Sequence, residues 1–357
     1  MNDTVKSAWR RAPRLNEFAD FFERTASGLE GAPDYGAPIA SADLLQFDLD
    51  CLTYADTHRR LWGEFEHHYF ASIPYRLEEE CRIAVAAFRF CLNVWAQEHR
   101  PATLYTLGAG AGSLTRSLAK LGDGRIITLN CSPTVANRVC FYKKRGSEHA
   151  HFFEGPFFEL DADRIATDRD LEPFRRGFDV LIEDTTFQMY GSDRDNQTKF
   201  VARSLRPTGV LVQVQKLRHP DPLIYAERER QKDEMFKSLF FSPSQISEKK
   251  REILNTMLDF QVDMATTVAA LDLSFRYSVV TWNSGNFYTI VSSNSRRSMI
   301  DYVSLLLSPA IPADFSNERL PLTIVDDAKE PLPTNWKWRP PWSVKPIIAP
   351  LPVPRGD

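Results

Sequence analysis

Short apolar runs alternate with helix-like segments through the middle of the chain. The segments between these runs, among them residues 113–122 and 132–146, have helical spacing or capping residues. Strands that alternate with helices are typical of a doubly wound parallel sheet covered by helices. The apolar runs lie at residues 102–108, 124–130, 150–155, 178–184 and 209–216.

A hairpin completes the predicted sheet. Residues 275–294 contain two apolar stretches joined at Ser284 and Gly285, a pair that favours a tight turn. The pattern therefore predicts an α/β fold with a doubly wound seven-stranded sheet, made of five parallel strands and a terminal antiparallel hairpin.

Helical segments flank this sheet. Residues 54–100 have helical spacing up to Pro101, and a separate helix is predicted at 15–24. The charge-rich residues 217–272 are predicted to form a helical insertion after strand five, with the charges on a solvated face. The expected domains are an N-terminal helical cap (1–100), a Rossmann-like domain (101–295), and a short helix with a proline-rich tail (296–357).

The composition is that of an ordinary soluble domain. Hydrophobic residues make up 43% and charged residues 25%, and 44 basic residues against 47 acidic ones leave a net charge of −3. We therefore expect no nucleic-acid or membrane partner, and no run approaches the ~20 apolar residues of a membrane span. The five cysteines have neither zinc-site nor disulfide spacing, which predicts reduced thiols, no metal and a cytoplasmic location.

The segment "TLGAGAGSL" follows the first predicted strand and begins a helix. Its glycines at 108, 110 and 112 place backbone amides at a helix N-terminus without side chains that would keep a ligand away. No Lys-Ser or Lys-Thr pair follows, so the segment is not a phosphate-binding P-loop, and its spacing is tighter than the dinucleotide fingerprint.

Five segments together carry a resemblance to a known family: "TLGAGAGSL", "IITLNCSP", "FFEGPFFEL", "FDVLIEDTTFQMY" and "SLRPTGVLV". Over about residues 80–295 the chain resembles the class I S-adenosylmethionine-dependent methyltransferases. The resemblance implies that the glycine loop approaches the cofactor, that Asn130 faces its ribose, that Phe157 lies near its adenine and that residues 183–187 lie below its sulfonium. The implied cofactor residues are Thr106, Gly108, Ala109, Gly110, Gly112, Asn130, Cys131, Pro156, Phe157, Asp184 and Thr185.

Three polar positions depart from the family's usual choice. Thr106 replaces an acid before the glycines, Asn130 replaces the acid that binds the ribose, and Pro156 stands where a carboxylate or amide usually meets the adenine. An asparagine can still accept a hydrogen bond from one hydroxyl, so the cofactor prediction survives these changes.

Methyl transfer from a sulfonium depends mainly on positioning, because the leaving group is neutral. Asp184 and Glu183, at the end of the fourth strand, are candidates for a base or for holding the cofactor's amino group; the alternative for each is a helix cap or a salt bridge. In the aromatic segment 62–80, His67 and Tyr75 are further catalytic candidates. His67 and His68 are adjacent, so only one of them can face a pocket.

The leading hypothesis is a methyltransferase that uses S-adenosylmethionine to methylate a small molecule directly, with a homodimer as a candidate assembly. A second hypothesis is an enzyme that consumes the aminobutyrate part of S-adenosylmethionine, by cyclisation or transfer, and releases methylthioadenosine. A third is a catalytically retired methyltransferase fold that serves as a binding subunit, motivated by Thr106, Asn130 and Pro156.

Overall fold

The computed structural model describes residues 3–328, 331–333 and 348, which form a mixed α/β sheet packed between helices. Within this part of the chain the sheet has eight strands. The strands are β1 (Ala102–Leu107), β2 (Ile126–Ser132), β3 (Ala150–Glu154), β4 (Phe178–Asp184), β5 (Leu205–Lys216), β6 (Tyr277–Ser284), β7 (Phe287–Ser293) and β8 (Leu322–Asp326). Their order in the sheet is β3-β2-β1-β4-β5-β7-β6-β8.

The predicted strand directions are confirmed. Strands β1 to β5 pair in parallel, and β7 pairs antiparallel with both β5 and β6. The prediction of seven strands is wrong by one, because β8 pairs antiparallel with β6 at the edge. Strand β8 lies in a segment predicted as proline-rich tail, and its side chains are mostly half-buried or exposed, so it lacks the strong apolar pattern of the inner strands.

Helices cover both faces of the sheet and the carboxyl ends of its strands. The predicted helical stretch 54–100 is interrupted twice, around Gly63 and at Tyr75, whose φ of 56° lies in the left-handed region. The α-helices are α1 (Asp3–Arg10), α2 (Ala19–Ala26), α3 (Ala42–Leu45), α4 (Leu49–Arg60), α5 (Glu64–Phe70), α6 (Arg76–Glu98), α7 (Ser113–Gly122), α8 (Val135–Lys143), α9 (Ala162–Thr167), α10 (Arg194–Ala202), α11 (Pro222–Gln231), α12 (Pro243–Lys249), α13 (Asn255–Leu258), α14 (Met264–Asp272) and α15 (Arg296–Leu305).

The insertion between β5 and β6 is helical but irregular. Two π-helical turns, Lys232–Phe236 and Lys250–Leu254, follow α11 and α12 and change which side chains face inward. Of the predicted proline-rich tail, residues 329–330, 334–347 and 349–357 lie outside the described residues.

Two apolar clusters hold the layers together, one on each face of the sheet. On one face α6 contributes small buried residues such as Ala84 and Ala87, which let the helix approach the strands closely. On the other face the ring of Trp9 lies 5.3 Å from that of Phe157, so α1 seals the region beyond β3. Burial of these apolar side chains is the main force that orders the carboxyl ends of the strands.

Candidate functional site

A cavity lies at the carboxyl ends of β1, β4 and β5, the edge at which open α/β sheets bind ligands. The loop after β1 and the residues after β4 line one side of it. Helices α2 and α5 and the helical insertion cover the other sides. The residues that line the cavity include Phe65, Glu66, His68, Tyr69, Glu80, Gly108, Ala109, Gly110, Asp184, Thr185, Gln188, Lys216, Lys232, Lys237 and Lys249.

The glycine loop follows β1 and is packed too tightly to admit side chains. Gly108, Gly110 and Gly112 have φ angles of 70°, 53° and 69°. A Cβ added to Gly108 would lie 1.9 Å from Oγ1 of Thr186, and one added to Gly110 would lie 2.8 Å from Cδ1 of Phe65. Only glycine satisfies both the backbone conformation and this packing.

The amides of these glycines are already used within the protein. Gly108 N donates to Cys131 O at 3.2 Å, Gly110 N to Gly108 O at 3.0 Å, and Gly112 N to Ala109 O at 2.9 Å. The backbone of Gly108, Ala109 and Gly110 therefore lies close to the cavity. The glycine amides themselves do not serve as ligand donors. Gly112 caps α7.

Thr106 and Asn130 belong together in a buried chain of hydrogen bonds. The Thr106 hydroxyl donates to Oδ1 of Asn130 at 2.9 Å, and Nδ2 of Asn130 donates to the carbonyl of Gly110 at 3.0 Å. Both side chains are 0% exposed, and neither lines the cavity. Asn130 thus holds the glycine loop in place, which a carboxylate could not do because it cannot donate to the Gly110 carbonyl. Thr106 donates to the oxygen of the same amide, so the two departures from the family pattern form one hydrogen-bonded pair.

Asp184 lines the cavity and is held as part of an ion-pair network. One of its oxygens accepts the hydroxyl hydrogen of Tyr69, and the other lies 2.7 Å from Nη2 of Arg76. The same nitrogen of Arg76 is also 2.7 Å from Glu80. Both carboxylate oxygens of Asp184 are thus engaged. Thr185, the next residue, has a φ of 50° and turns the chain along the cavity wall.

Glu183 does not face the cavity. Its carboxylate accepts from the amides of Thr186 and Phe187 at 2.6 and 3.0 Å and from Gln215 at 2.7 Å. Burial raises the pKa of Glu183 to about 7, against the effect of these hydrogen bonds. In this position Glu183 supports the turn after β4, whereas Asp184 and Thr185 line the cavity.

The aromatic segment contributes other residues than those predicted as catalytic. His67 packs against Trp62 and Tyr75 against Phe236, both outside the cavity wall. The neighbouring His68 and the ring of Tyr69 line the wall instead. Because α5 is a separate short helix that begins at Glu64, within a stretch predicted as helical from residue 54 to 100, the sequence could not fix which of the two histidines points inward.

The predicted adenine residues lie behind the wall. Phe157 is buried among aromatic rings, Pro156 precedes its 3₁₀ turn, and Cys131 is buried beside Tyr105. The wall near them is formed by other residues, including Asn137, Gln188 and Tyr190. The sequence could have indicated these three residues as lining residues, because Asn137 follows β2, and Gln188 and Tyr190 follow β4.

The N-terminal segment closes this end of the cavity. The Arg14 guanidinium donates to Oγ1 of Thr134 at 2.6 Å, and the Glu23 carboxylate accepts from the amides of Val135 and Ala136 at 3.0 and 2.9 Å. Glu23 therefore caps α8, where a negative charge interacts favourably with the helix dipole. No local sequence signal connects residues more than 100 positions apart.

Two buried oxygen atoms on the wall have no hydrogen-bond partner within the described residues: Oε1 of Glu66 and Oε1 of Gln188. Glu66 lies at the start of α5, where Gly63 packs against Ala111 of the glycine loop. Buried acceptors are normally satisfied, so these two oxygens are available to accept hydrogen bonds from a group in the cavity. Together with Glu80 and Asp184 they make this end of the cavity suited to a cationic group.

Across the residues that the structure describes, no group of three or more side chains is arranged to hold a metal ion. None of the helices in this part of the chain has the length and apolar character needed to cross a membrane.

No family model and no curated protein sequence matches this chain. Solved structures match at low identity. The plantazolicin methyltransferase BpumL in complex with SAH is 9% identical, with 72% of this chain and 100% of that chain covered and a TM-score of 0.42. The mitomycin 7-O-methyltransferase MmcR is 14% identical, with 82% and 72% covered and a TM-score of 0.39. Both are named as methyltransferases, the class that the sequence segments resemble, but these scores are too low to add to the geometry above.

Proposed function

We propose that this protein binds S-adenosylmethionine in the cavity and transfers its methyl group directly to a small-molecule acceptor. The observation that carries the proposal is the composition of one wall: the glycine loop after β1 and the acidic end of β4 meet there, beside buried acceptors that have no partner in the described part of the chain. The resemblance of the same segments to class I methyltransferases supports it.

The donor set fits this cofactor. S-adenosylmethionine has a sulfonium and an ammonium group, and its ribose and adenine donate hydrogen bonds. Glu66, with its free Oε1, would accept from the ammonium group beside the glycine loop, and Gln188 would accept from the adenosine half. The aromatic ring of Tyr69 and the carboxylate of Asp184 would face the positive charge.

S-adenosylmethionine supplies a methyl group on a good, neutral leaving group. The residues of the chain position the reactants and exclude water, and the cover formed by α2, α5 and the insertion serves both purposes. Asp184 is better suited to orient a cation than to take a proton, because protonation would cost it the ion pair with Arg76. Enclosure by this cover favours an acceptor of small size.

The test is to incubate the purified full chain with S-adenosylmethionine and candidate acceptors and to identify the products by mass spectrometry. Methyl transfer predicts S-adenosylhomocysteine and an acceptor heavier by one methyl group. Methylthioadenosine formed without any acceptor would replace this proposal with chemistry of the aminobutyrate side chain. Absence of both products together with absence of cofactor binding would favour the retired fold.

A further inference from the structure

Four lysines lie on one wall of the cavity, at the end covered by the helical insertion. Lys216 ends β5, Lys232 and Lys237 lie in and just after the first π-helical turn, and Lys249 ends α12. Lys216, Lys232 and Lys237 are 4%, 5% and 1% exposed, which is unusual for a residue type that is almost never buried without partners. These four residues are called the lysine cluster below.

The lysine cluster is only partly paired with carboxylates. Glu229 accepts from both Lys216 and Lys232, at 2.7 and 2.5 Å, and Asp233 accepts from Lys237 at 3.1 Å. Burial alone would raise the pKa of Glu229, but the two lysines hold it below its usual range. Among the described residues, carboxylates thus pair directly with three of the four lysines, and Lys249 is the exception.

Lys249 contacts only neutral groups among the described residues. Its ammonium group donates to Oγ of Ser72 at 2.8 Å and to Nε2 of His68. Nδ1 of His68 lies 2.7 Å from the carbonyl of Gly31, to which it donates, so Nε2 is the unprotonated nitrogen of a neutral ring. The pKa of His68 lies well below its usual value because of burial and the charge of Lys249.

Two lysines of the cluster have lowered pKa values. Burial, followed by the charge of Lys232, lowers the pKa of Lys237 to about 8. Burial and the charges of Lys237 and Lys232 lower the pKa of Lys249 well below its usual value. An anion bound beside Lys237 and Lys249 would favour the charged form of both and raise these two pKa values.

Helix α5 and the residues just after it contact both the glycine loop and the lysine cluster. Phe65 packs on Gly110, Tyr69 bonds Asp184 one turn later, and Ser72, just past the end of the helix, bonds Lys249. The five helical steps from Phe65 to Phe70 span roughly 7.5 Å at 1.5 Å each, and Ser72 follows two residues later. Lys249 therefore contacts the end of α5 opposite to the end that packs on the loop proposed to hold the cofactor's amino-acid part.

Apolar side chains also line the cavity, and the ring of Phe287 lies 5.7 Å from Nζ of Lys216. Ile253, Met257 and Phe287 line the cavity near the cluster. A ligand that spans this region would have an apolar body and an anionic end. A second cavity lies beyond His68 and Lys249, and its charged lining residues are of both signs: Glu30, Glu248 and Glu252 with Arg24, Lys237 and Lys249.

We propose that the lysine cluster binds an anionic group, a carboxylate or a phosphate, at one end of an acceptor with an apolar body. The proposal rests on the methyltransferase function above, because it assigns the cluster to the acceptor. The cluster would also select against neutral analogues of the same shape, since these would leave Lys249 without a carboxylate or phosphate partner.

The experiment uses benzoate, phenyl phosphate and the neutral benzamide as probes, titrated calorimetrically into the full chain at pH 7, with and without S-adenosylhomocysteine. We expect an anion to bind about 10-fold or more tightly than benzamide, and the stronger of the two anions identifies the group as carboxylate or phosphate. Lys249→Met should weaken the anion by about 10-fold or more. Lys250→Met, an exposed neighbour, should leave it unchanged.

Lys237→Met provides a second variant if Lys249→Met does not fold, and a melting curve for each variant establishes that it does. Equal binding of benzoate and benzamide, absence of binding by both anions, or an unchanged affinity in both lysine variants would refute the proposal. The proposal would also be refuted if the lysine variants lost as much affinity for S-adenosylhomocysteine as for the anion. That result would place the cofactor's carboxylate on the cluster. Binding of the anions without binding of S-adenosylhomocysteine would instead refute the proposed function.

Discussion

Replacing Asn130 with aspartate separates two interpretations of the glycine loop. If the position had merely lost the family's ribose-binding acid, Asn130→Asp would tighten S-adenosylmethionine binding at little cost in stability. In the structure, however, Asn130 donates to Gly110 and is completely buried. An ionised aspartate has no hydrogen to donate and would place a charge against the carbonyl of Gly110.

The magnitude follows from protonation. A neutral aspartic acid could keep both hydrogen bonds, so the folded variant takes up a proton that the unfolded chain, with a pKa of about 3.9, does not hold at pH 7. At about 1.36 kcal/mol per pH unit this costs about 4 kcal/mol at pH 7 and about 1.5 kcal/mol at pH 5. The folded pKa of the new acid is raised, so the loss grows as pH rises above the unfolded value and shrinks as pH falls towards it.

The assay is urea unfolding of the full chain at pH 5 and pH 7, with each variant compared with wild type at the same pH. The control is Asn93→Asp, an exposed change on α6 that should alter the free energy of unfolding by no more than about 0.5 kcal/mol. A small loss at both pH values, or a loss that does not depend on pH, would refute the role assigned to Asn130. Tighter cofactor binding by a stable variant would restore the ribose interpretation.

Other changes test the walls of the cavity. Gly110→Ala should force Phe65 out of place and weaken S-adenosylmethionine binding by about 10-fold or more, whereas Gly36→Ala, also at positive φ but with open space around it, should leave binding unchanged; calorimetry measures both. Asp184→Asn should reduce cofactor affinity by about 10- to 100-fold with no larger fall in kcat, and a loss confined to kcat would make Asp184 a base. Tyr69→Phe should weaken binding in the same direction but less, because it removes one neutral donor to Asp184.

The sequence predicts the parts of this fold that depend on local pattern. Strand β4 lies at the predicted residues 178–184, and the glycine loop joins β1 to α7 as expected. The hairpin turn falls at Gly285 and Asn286, one residue later than predicted, since Ser-Gly and Gly-Asn are both acceptable turn pairs. Local chemistry fixes that a turn occurs, and the register of the paired strands decides where.

The site depends on contacts between distant segments, which a local pattern cannot predict. The lysines of the insertion were predicted to lie on a solvated face, and this is wrong for Lys232 and Lys237, because the π-helical turn shifts the face that points inward. Glu183 and Asp184 are adjacent in sequence, yet only the strand's pleat decides which one faces the cavity. The sequence alone presents Asn130 as a weakened ligand residue, whereas the structure shows that its amide donates to the carbonyl of Gly110.

The central claim is that the cavity beside the glycine loop binds S-adenosylmethionine, and the most direct measurement is a calorimetric titration of S-adenosylmethionine into the purified full chain. The account predicts saturable binding with one site per chain, lost in Gly110→Ala and retained in Gly36→Ala. No binding heat at millimolar S-adenosylmethionine, with a chain that melts cooperatively, would contradict the account.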